Sequence, residues 1–404
     1  MTRIKIGILR ETKIPPDRRV ALPPAAAAEV NARYPDVNIV VQPSHMRCFS
    51  DNEYRAAGIT LQEDLSDCDW LIGVKEVHIP DLIAGKKYLF FAHVAKKQAY
   101  NRLLLQEIVD KNITLADYEY LKDNNNCRLI AFGRWAGIIG AFNGLMAWGM
   151  KTGQYELTAA HQCHDRFEMD QQLEKLDISS VRILVTGGGR VAMGAMETLG
   201  KLGIPLISPD EYLNNPEISP VICRIDPCHY AEHKNGNPFD YDHFCKNPWD
   251  YKSCFKRFSS STDMLIAAHF WDPASPKLWQ PEEMKNKDFK IRVIADISCD
   301  INGSVPSTIR ATTIADPFYD WDRFQLQEMP PFSDPEAVTV MSIDNLPGEL
   351  PRDASQEFSR ALLEKVFPCL LGEDPCHVVN QATITRDGQL NEPFLYLDSF
   401  LKGE

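Results

Sequence analysis

A compact β-branched run that ends in three glycines constrains this chain more than any other feature. Val181-Arg-Ile-Leu-Val-Thr186 reads as a buried strand, and it leads directly into Gly187-Gly188-Gly189-Arg190-Val191-Ala192-Met193-Gly194-Ala195. Helical spacing follows from Met196 to Leu202. Strand, glycine turn and helix in immediate succession are the context that lifts a Gly-x-Gly-x-x-Gly/Ala match above chance. Gly187 would permit the tight turn, Gly189 would let the backbone approach a pyrophosphate, and Ala192 would keep the helix near the sheet. A helix N-terminus, here opening at Arg190, offers unpaired N–H groups and partial positive charge to phosphates. NAD or NADP is therefore the expected cofactor, with Gly187, Gly189, Arg190 and Ala192 among its contacts. An acidic residue about 20 positions on, at the end of the next strand, would favour NAD. Pro205-Leu-Ile-Ser208-Pro209-Asp210-Glu211 offers Ser208 or Asp210 there. Asp210 is the acidic candidate, and the choice between the two cofactors stays open.

At 404 residues the chain exceeds what one hydrophobic core usually serves, so two domains are expected. The N-terminal third alternates strand patterns at Met1 to Glu11, Val37 to Val41, Trp70 to Val74, Tyr88 to Ala92 and Ile113 to Leu115 with helix patterns. The helices are expected at Pro24 to Ala32, Asp51 to Ala57 and Gln98 to Lys111, and Pro24 suits a first helical position. This alternation implies a parallel sheet with helices on its faces. The apolar, glycine-spotted stretch Trp135 to Lys151 reads as a long buried helix passing from one domain to the other. Strand patterns return at Met264 to Ala267 and Ile291 to Asp296. Ala354 to Val366 reads as a helix before a polar tail, and Cys228 to Cys254, rich in His and Tyr, as a loop packed over the cofactor domain.

Charge and cysteine content exclude several classes. A net charge of −13 with no long basic run argues against a nucleic-acid surface. No apolar run approaches the roughly 20 residues a membrane span needs, and the N-terminus lacks a signal-peptide pattern, so a cytoplasmic protein is expected. Eleven cysteines without a framework should be mostly reduced thiols in packed positions. His161-Gln-Cys163-His164 and Cys223…Cys228-His229 invite a zinc reading, but neither has a second ligand pair and both fall in expected surface connections, so no metal is expected.

Four stretches put ionisable residues where strands should end: Arg10-Glu-Thr-Lys13 with Arg18-Arg19, Gly73-Val-Lys75-Glu76, Phe91-Ala-His93-Val-Ala-Lys96, and Asp117-Tyr-Glu119. Ligands of open parallel sheets bind outside the carboxyl ends of the strands. Lys75, His93 and Glu119 would then converge from three neighbouring strands. A lysine crowded by cations has its pKa lowered toward neutrality, and histidine titrates there already, so the pair can exchange protons with an amine or a carbonyl-derived hydroxyl. Lys13 and Arg19 could hold substrate carboxylates, Arg19 bidentately.

These stretches, with Ala131-Phe-Gly-Arg-Trp-Ala-Gly137, Ala295-Asp-Ile-Ser298 and Met341-Ser-Ile-Asp-Asn-Leu-Pro347, make the chain similar to the lysine-forming saccharopine dehydrogenases. The likeness is to the lysine–2-oxoglutarate reductase domain of the bifunctional lysine-degrading enzyme, and more widely to alanine dehydrogenase and transhydrogenase. The resemblance implies two Rossmann-like, doubly wound α/β domains with the active site in the cleft between them. Residues 1–137 with 345–404 would bind substrate, and 138–344 would bind the dinucleotide. It implies NAD(P)-dependent, reversible condensation of lysine with 2-oxoglutarate to saccharopine by a free-standing reductase, a monomer or homodimer. By position, Lys75 and His93 match the acid–base pair, and Arg19 the carboxylate-binding arginine. Lys13, Lys96 and Glu119 match groups that tune the site or bind substrate, and Asp344 the acid near the nicotinamide ribose. Arg134 stands where an uncharged residue is the family's habit, and is a candidate substrate contact. Two alternatives stand beside this reading: another amino-acid or opine dehydrogenase of the same architecture, alanine dehydrogenase included, and a non-enzymatic dinucleotide-binding module. The last would predict loss of the Lys75/His93 pair, and both residues are present.

Overall fold

A computed structural model describes residues 4–403. The chain forms two compact units, one built from the residues up to Phe132 together with those from Pro351 on, the other from Gly133–Leu350. The expected boundary at 137/138 would cut the helix Gly133–Thr152 inside its first two turns. That helix instead lies wholly in the second unit, so it does not pass between domains. The return point falls at 350/351, ahead of the helix Pro351–Ala361, rather than at 344/345.

In the first unit the strand Ile4–Ile8 sits between Trp70–Ile72 and Val37–Val41, all parallel. Outward from Trp70–Ile72 come Lys87–Phe90 and Thr114–Asp117, also parallel, and Thr60–Leu61 closes the opposite edge. The strand expected over Met1 to Glu11 is Ile4–Ile8, and Met1–Arg3 lie outside the described residues. Successive residues face opposite sides of a sheet, and both sides here are apolar, as covered parallel sheets require. Leu89 and Ala116 join one core layer with Ile6 and Val41, while Tyr88, Phe90 and Leu115 join the other with Leu105.

The expected polar tail is a correction. Thr383–Arg386 pairs antiparallel with Thr114–Asp117 and turns into Gln389–Leu390. Ile384, Phe394, Leu397 and Phe400 are buried, so the C-terminal segment closes the sheet edge and one core layer. The helix expected at Ala354 to Val366 starts at Pro351 and loosens into a π-helical turn over Leu362–Val366.

The second unit repeats the plan. Arg182–Thr186 lies between Met264–Ala267 and Val221–Ile225, followed outward on one side by Val293–Asp296 and Val338–Met341, all parallel. Phe318–Asp322 and Gln327–Met329 add an antiparallel edge, and the short strand Leu206–Ile207 forms the other edge. The long helix Gly133–Thr152 packs on this sheet and on the helix Arg190–Leu199. A Cβ on Gly137 would stand 1.9 Å from the Val191 carbonyl oxygen, and one on Gly194 2.0 Å from that of Arg134. Hydrogen at these two positions is what lets the helix backbones touch.

All eleven cysteines are free. Packing holds for Cys68, Cys163 and Cys223, but Cys127, Cys228, Cys245 and Cys376 are exposed, so the expectation of packed thiols is only partly met. Cys223 lies inside the strand Val221–Ile225 rather than in a surface connection. Among the described residues no helix is long and apolar enough to cross a membrane.

Candidate functional site

In the first unit the charged groups gather at the carboxyl ends of four adjacent parallel strands, in the order Thr114–Asp117, Lys87–Phe90, Trp70–Ile72 and Ile4–Ile8. The backbone there is organised by two carboxyl groups, the half-buried Glu11 and the buried Asp117. Glu11 accepts from Val74 N at 2.7 Å and Lys75 N at 2.8 Å. Burial, helped by Asp17, pushes Glu11 up to about 8, against those two bonds. Asp117 accepts from the N–H groups of Ala92, His93 and Glu119 at 3.1, 3.1 and 2.8 Å. Burial raises it to about 6 against those bonds. His93 takes a left-handed backbone, φ 56°, which Asp117 helps to hold.

The side chains then interlock. His93 Nδ1 lies 2.8 Å from Glu76 Oε1, and Lys13 Nζ donates to Glu76 Oε2 at 3.0 Å. Burial alone would raise Glu76, but the His93 bond and the Lys13 charge hold it down at about 2. Lys75 is lowered from the usual lysine range by burial first, then by Arg19 and Lys13. Lys96 Nζ lies 3.1 Å from Glu119 Oε1, and Arg128 reaches the same oxygen at 3.4 Å. Arg19 is buried, stacks on the Phe132 ring at 4.2 Å, and donates to Asp17 through Nε at 3.0 Å and Nη2 at 2.6 Å. Burial opposes the charge on Asp17, yet Arg19 keeps that carboxyl well below the ordinary range. The adjacent Arg18 is exposed. Lys75, His93, Lys13, Lys96, Glu119 and Arg19 are thus all in one region of one unit. Glu11, Asp17, Glu76 and Asp117, not singled out from the sequence, are the acids that set their charge and orientation. The Lys75-Glu76 dipeptide at a strand end was the available signal.

In the second unit the glycine turn leaves the strand Arg182–Thr186 with Gly187 at φ +96°, where a Cβ would also meet the Ala268 carbonyl at 2.9 Å. Gly189 caps the helix Arg190–Leu199, and a Cβ there would meet nothing within 4 Å. The opening is a cavity of about 580 Å³, lined by the turn, Arg190, Asp226, His269 and the segment Tyr241 to Pro248. The His/Tyr-rich stretch is therefore a wall of this cavity, built on the hairpin Ala231–His233 and Tyr251–Ser253. His269 is buried with Nδ1 2.6 Å from Thr186 Oγ1, and burial lowers it to about 4, so it is neutral.

One expectation changes here. Asp210 is exposed on the short helix Pro209–Asn214, beyond the edge strand Leu206–Ile207, and does not line the cavity. The strand beside the turn strand is Val221–Ile225, and the acid just after it is Asp226, which Arg224 Nη1 contacts at 2.7 Å. Arg134 belongs to the second unit and donates to both oxygens of Glu197 at 2.7 and 2.6 Å. Ala192 is buried on the helix Arg190–Leu199, and Gly137 and Gly194 bring that helix against Gly133–Thr152. Asp344 is exposed, just after the strand Val338–Met341. Neither zinc candidate gathers three ligand groups. Among the described residues His233, His243 and Asp250 do, although His233 Nδ1 already accepts from Asn235 N at 3.1 Å.

Residues 7–139 match the model of the alanine dehydrogenase/PNT N-terminal domain. That match covers most of the N-terminal part of the first unit and the first turns of the helix Gly133–Thr152. Along most of its length the chain is similar to proteins of two kinds, saccharopine dehydrogenases and alpha-aminoadipic semialdehyde synthases. The NAD(+), L-lysine-forming saccharopine dehydrogenase of Neurospora crassa is 29% identical, with 87% of each chain covered. The mitochondrial alpha-aminoadipic semialdehyde synthase of Mus musculus is also 29% identical over 89% of this chain, which spans only 44% of that protein. An L-alanine dehydrogenase structure superimposes with a TM-score of 0.68 at 16% identity, covering 99% of both chains. A transhydrogenase from Sinorhizobium meliloti gives 0.59 at 13% identity. These likenesses show the two-domain, Rossmann-like fold that the sequence led us to expect.

Proposed function

We propose that this chain is an NAD(P)-dependent oxidoreductase acting on CH–NH bonds, and that it condenses the ε-amine of lysine with 2-oxoglutarate to give saccharopine, reversibly. The observation that carries the reading is the setting of Lys75: a half-buried lysine lowered by desolvation and by Arg19 and Lys13, on the same sheet edge as the Glu76-bound His93. Imine formation needs one group to take protons from the attacking amine and another to protonate the departing hydroxyl. A lysine that loses its proton readily suits the first task, and His93 the second. With Nδ1 directed at Glu76, its Nε2 is the nitrogen left for substrate. Lys13 and Lys96 supply positive charge for substrate carboxylates. Arg19, enclosed with Asp17, acts mainly through its field on Lys75.

The cofactor's fit rests on the open space over Gly189, the helix N-terminus at Arg190 and the neutral His269. When bound, the reduced nicotinamide supplies the hydride that converts the imine to the secondary amine. Asp226 would accept from the two ribose hydroxyls, which favours NAD over NADP.

The test is loss of NADH with lysine and 2-oxoglutarate, compared with ammonia and pyruvate. Turnover with the first pair and production of saccharopine support the proposal. Turnover only with the second pair would replace it with an alanine dehydrogenase.

A further inference from the structure

The second unit carries a second cavity, of about 450 Å³, that shares no residue with the glycine turn's cavity. Its walls are mostly apolar: Met146 and Met150 from one face of the long helix, with Leu157, Phe318 and Phe332 opposite. Phe318 and Phe332 meet edge to face at 5.6 Å. Glu349 and Asn143, both lining this cavity, are buried at 2% and 0% exposure. Asn143 Nδ2 donates to Glu349 Oε1 at 2.7 Å, and Asn143 Oδ1 has no hydrogen-bond partner. The second Glu349 oxygen meets His161 Nδ1 at 3.7 Å, too far for a hydrogen bond.

A buried carboxylate with one neutral amide hydrogen bond, and only the exposed His161 at ion-pair distance, is weakly compensated for a buried ion. The adjacent unpartnered carbonyl adds a second acceptor, and Asp316 adds a further negative charge among the lining residues. We propose that this cavity is a binding site for a primary alkylammonium, its NH₃⁺ head on Glu349 and Asn143 and its chain against Met146, Leu157 and Phe318. An ammonium offers three donors to match these acceptors, and an apolar wall rewards a hydrocarbon tail rather than a hydrated inorganic ion. Filling the site would add a ligand that binds only the folded protein.

The proposal does not depend on the reaction assigned above, and its test reads the site directly. The full chain, labelled with ¹³C-methyl methionine, is titrated with n-butylammonium chloride, n-butanol and potassium chloride. The expected result is saturable shifts of the Met146 and Met150 methyl signals with the ammonium alone, at a Kd in the roughly millimolar range suited to so small a ligand. Glu349→Gln should weaken it at least about tenfold. Met150→Lys, at an exposed position on the cavity wall, should compete with it while the folded spectrum is kept. Equal shifts with butanol or potassium, an unchanged Kd in Glu349→Gln, or no shift at these two methionines would overturn the proposal.

Discussion

His93 Nδ1 and Glu76 Oε1 stand 2.8 Å apart, and the same carboxylate holds Lys13 through its other oxygen. The contact directs one ring nitrogen at the protein and so decides which one is left for chemistry. His93→Gln removes the acid itself and should lower turnover by about two to four powers of ten. Glu76→Gln keeps the ring but turns an amide N–H toward either His93 or Lys13, so a smaller loss, of about ten- to a hundredfold, is expected mainly in kcat. Equal rates for Glu76→Gln and the parent would show that this contact orients nothing.

Lys75 is pushed down by burial and by two cations, and one of those cations can be removed without touching it. Taking away the Lys13 charge should raise the Lys75 pKa, because a like charge that disfavoured the ammonium is gone. If Lys75 must lose its proton for the amine to react, the rising limb of kcat/KM against pH moves to higher pH in Lys13→Ala. Lys75→Met should abolish that limb along with most of the rate. A Lys13→Ala profile unmoved along the pH axis assigns the limb to another group.

The acid stability of the first unit follows from the same carboxylate. Glu76 titrates at about 2 in the folded protein against an ordinary value of 4.5. Its contribution is therefore complete above pH 4.5 and is lost as pH falls toward 2. Glu76→Gln should flatten the stability–pH curve across that window, by about 1–3 kcal/mol between its ends. Denaturant midpoints at pH 5 and pH 3 check it: parallel losses in variant and parent would mean that Glu76 is not the group responsible. Glu11, raised to about 8, works in the opposite sense, since only the unfolded chain releases its proton as pH rises through 4.5 to 8.

What was legible in the sequence is what local chemistry determines. The turn at Gly187 and Gly189 could be read because strand, glycines and helix are consecutive. Lys75, His93 and Glu119 could be placed together because parallel strands put successive loops at one edge. What depends on partners far along the chain could not be read. Asp210 looked like the acid after the next strand, but Leu206–Ile207 is pushed to the edge, and Val221–Ile225 takes its place beside the turn strand. Thr383–Arg386 is too short and polar to declare itself, and it becomes a strand because Thr114–Asp117, some 270 residues earlier, offers it an edge. Glu349 and Asn143 meet across 206 residues, and no local pattern marks them.

Two glycines near the turn should separate fold from ligand. A Cβ on Gly194 would collide with the Arg134 carbonyl at 2.0 Å, and backbone cannot step aside cheaply. Gly194→Ala should cost about 2–4 kcal/mol. Gly189 has φ −83° and open space around its Cβ position, so Gly189→Ala should leave the melting temperature nearly unchanged. That open space is where a pyrophosphate would pass, and NADH affinity by fluorescence titration should fall more than about tenfold. Full NADH affinity in a stable Gly189→Ala protein would remove the turn from cofactor binding.

Asp226 carries the choice between the two dinucleotides. It follows the strand adjacent to the turn strand, lines the turn's cavity, and is held by Arg224, whose Nη1 also reaches the Gly187 carbonyl at 3.0 Å. A carboxylate there accepts from a ribose diol and repels a 2′-phosphate, so NADH should be preferred. Asp226→Ser removes the repulsion and releases Arg224 from its ion pair, leaving a cation beside the 2′ position. The ratio of kcat/KM for NADPH over NADH should then rise by at least about tenfold, most of it from better NADPH binding. Asp210→Ser, exposed and away from the cavity, should leave the ratio where it was. A ratio that responds to Asp210 and not to Asp226 would return the acid to the position first read from the sequence.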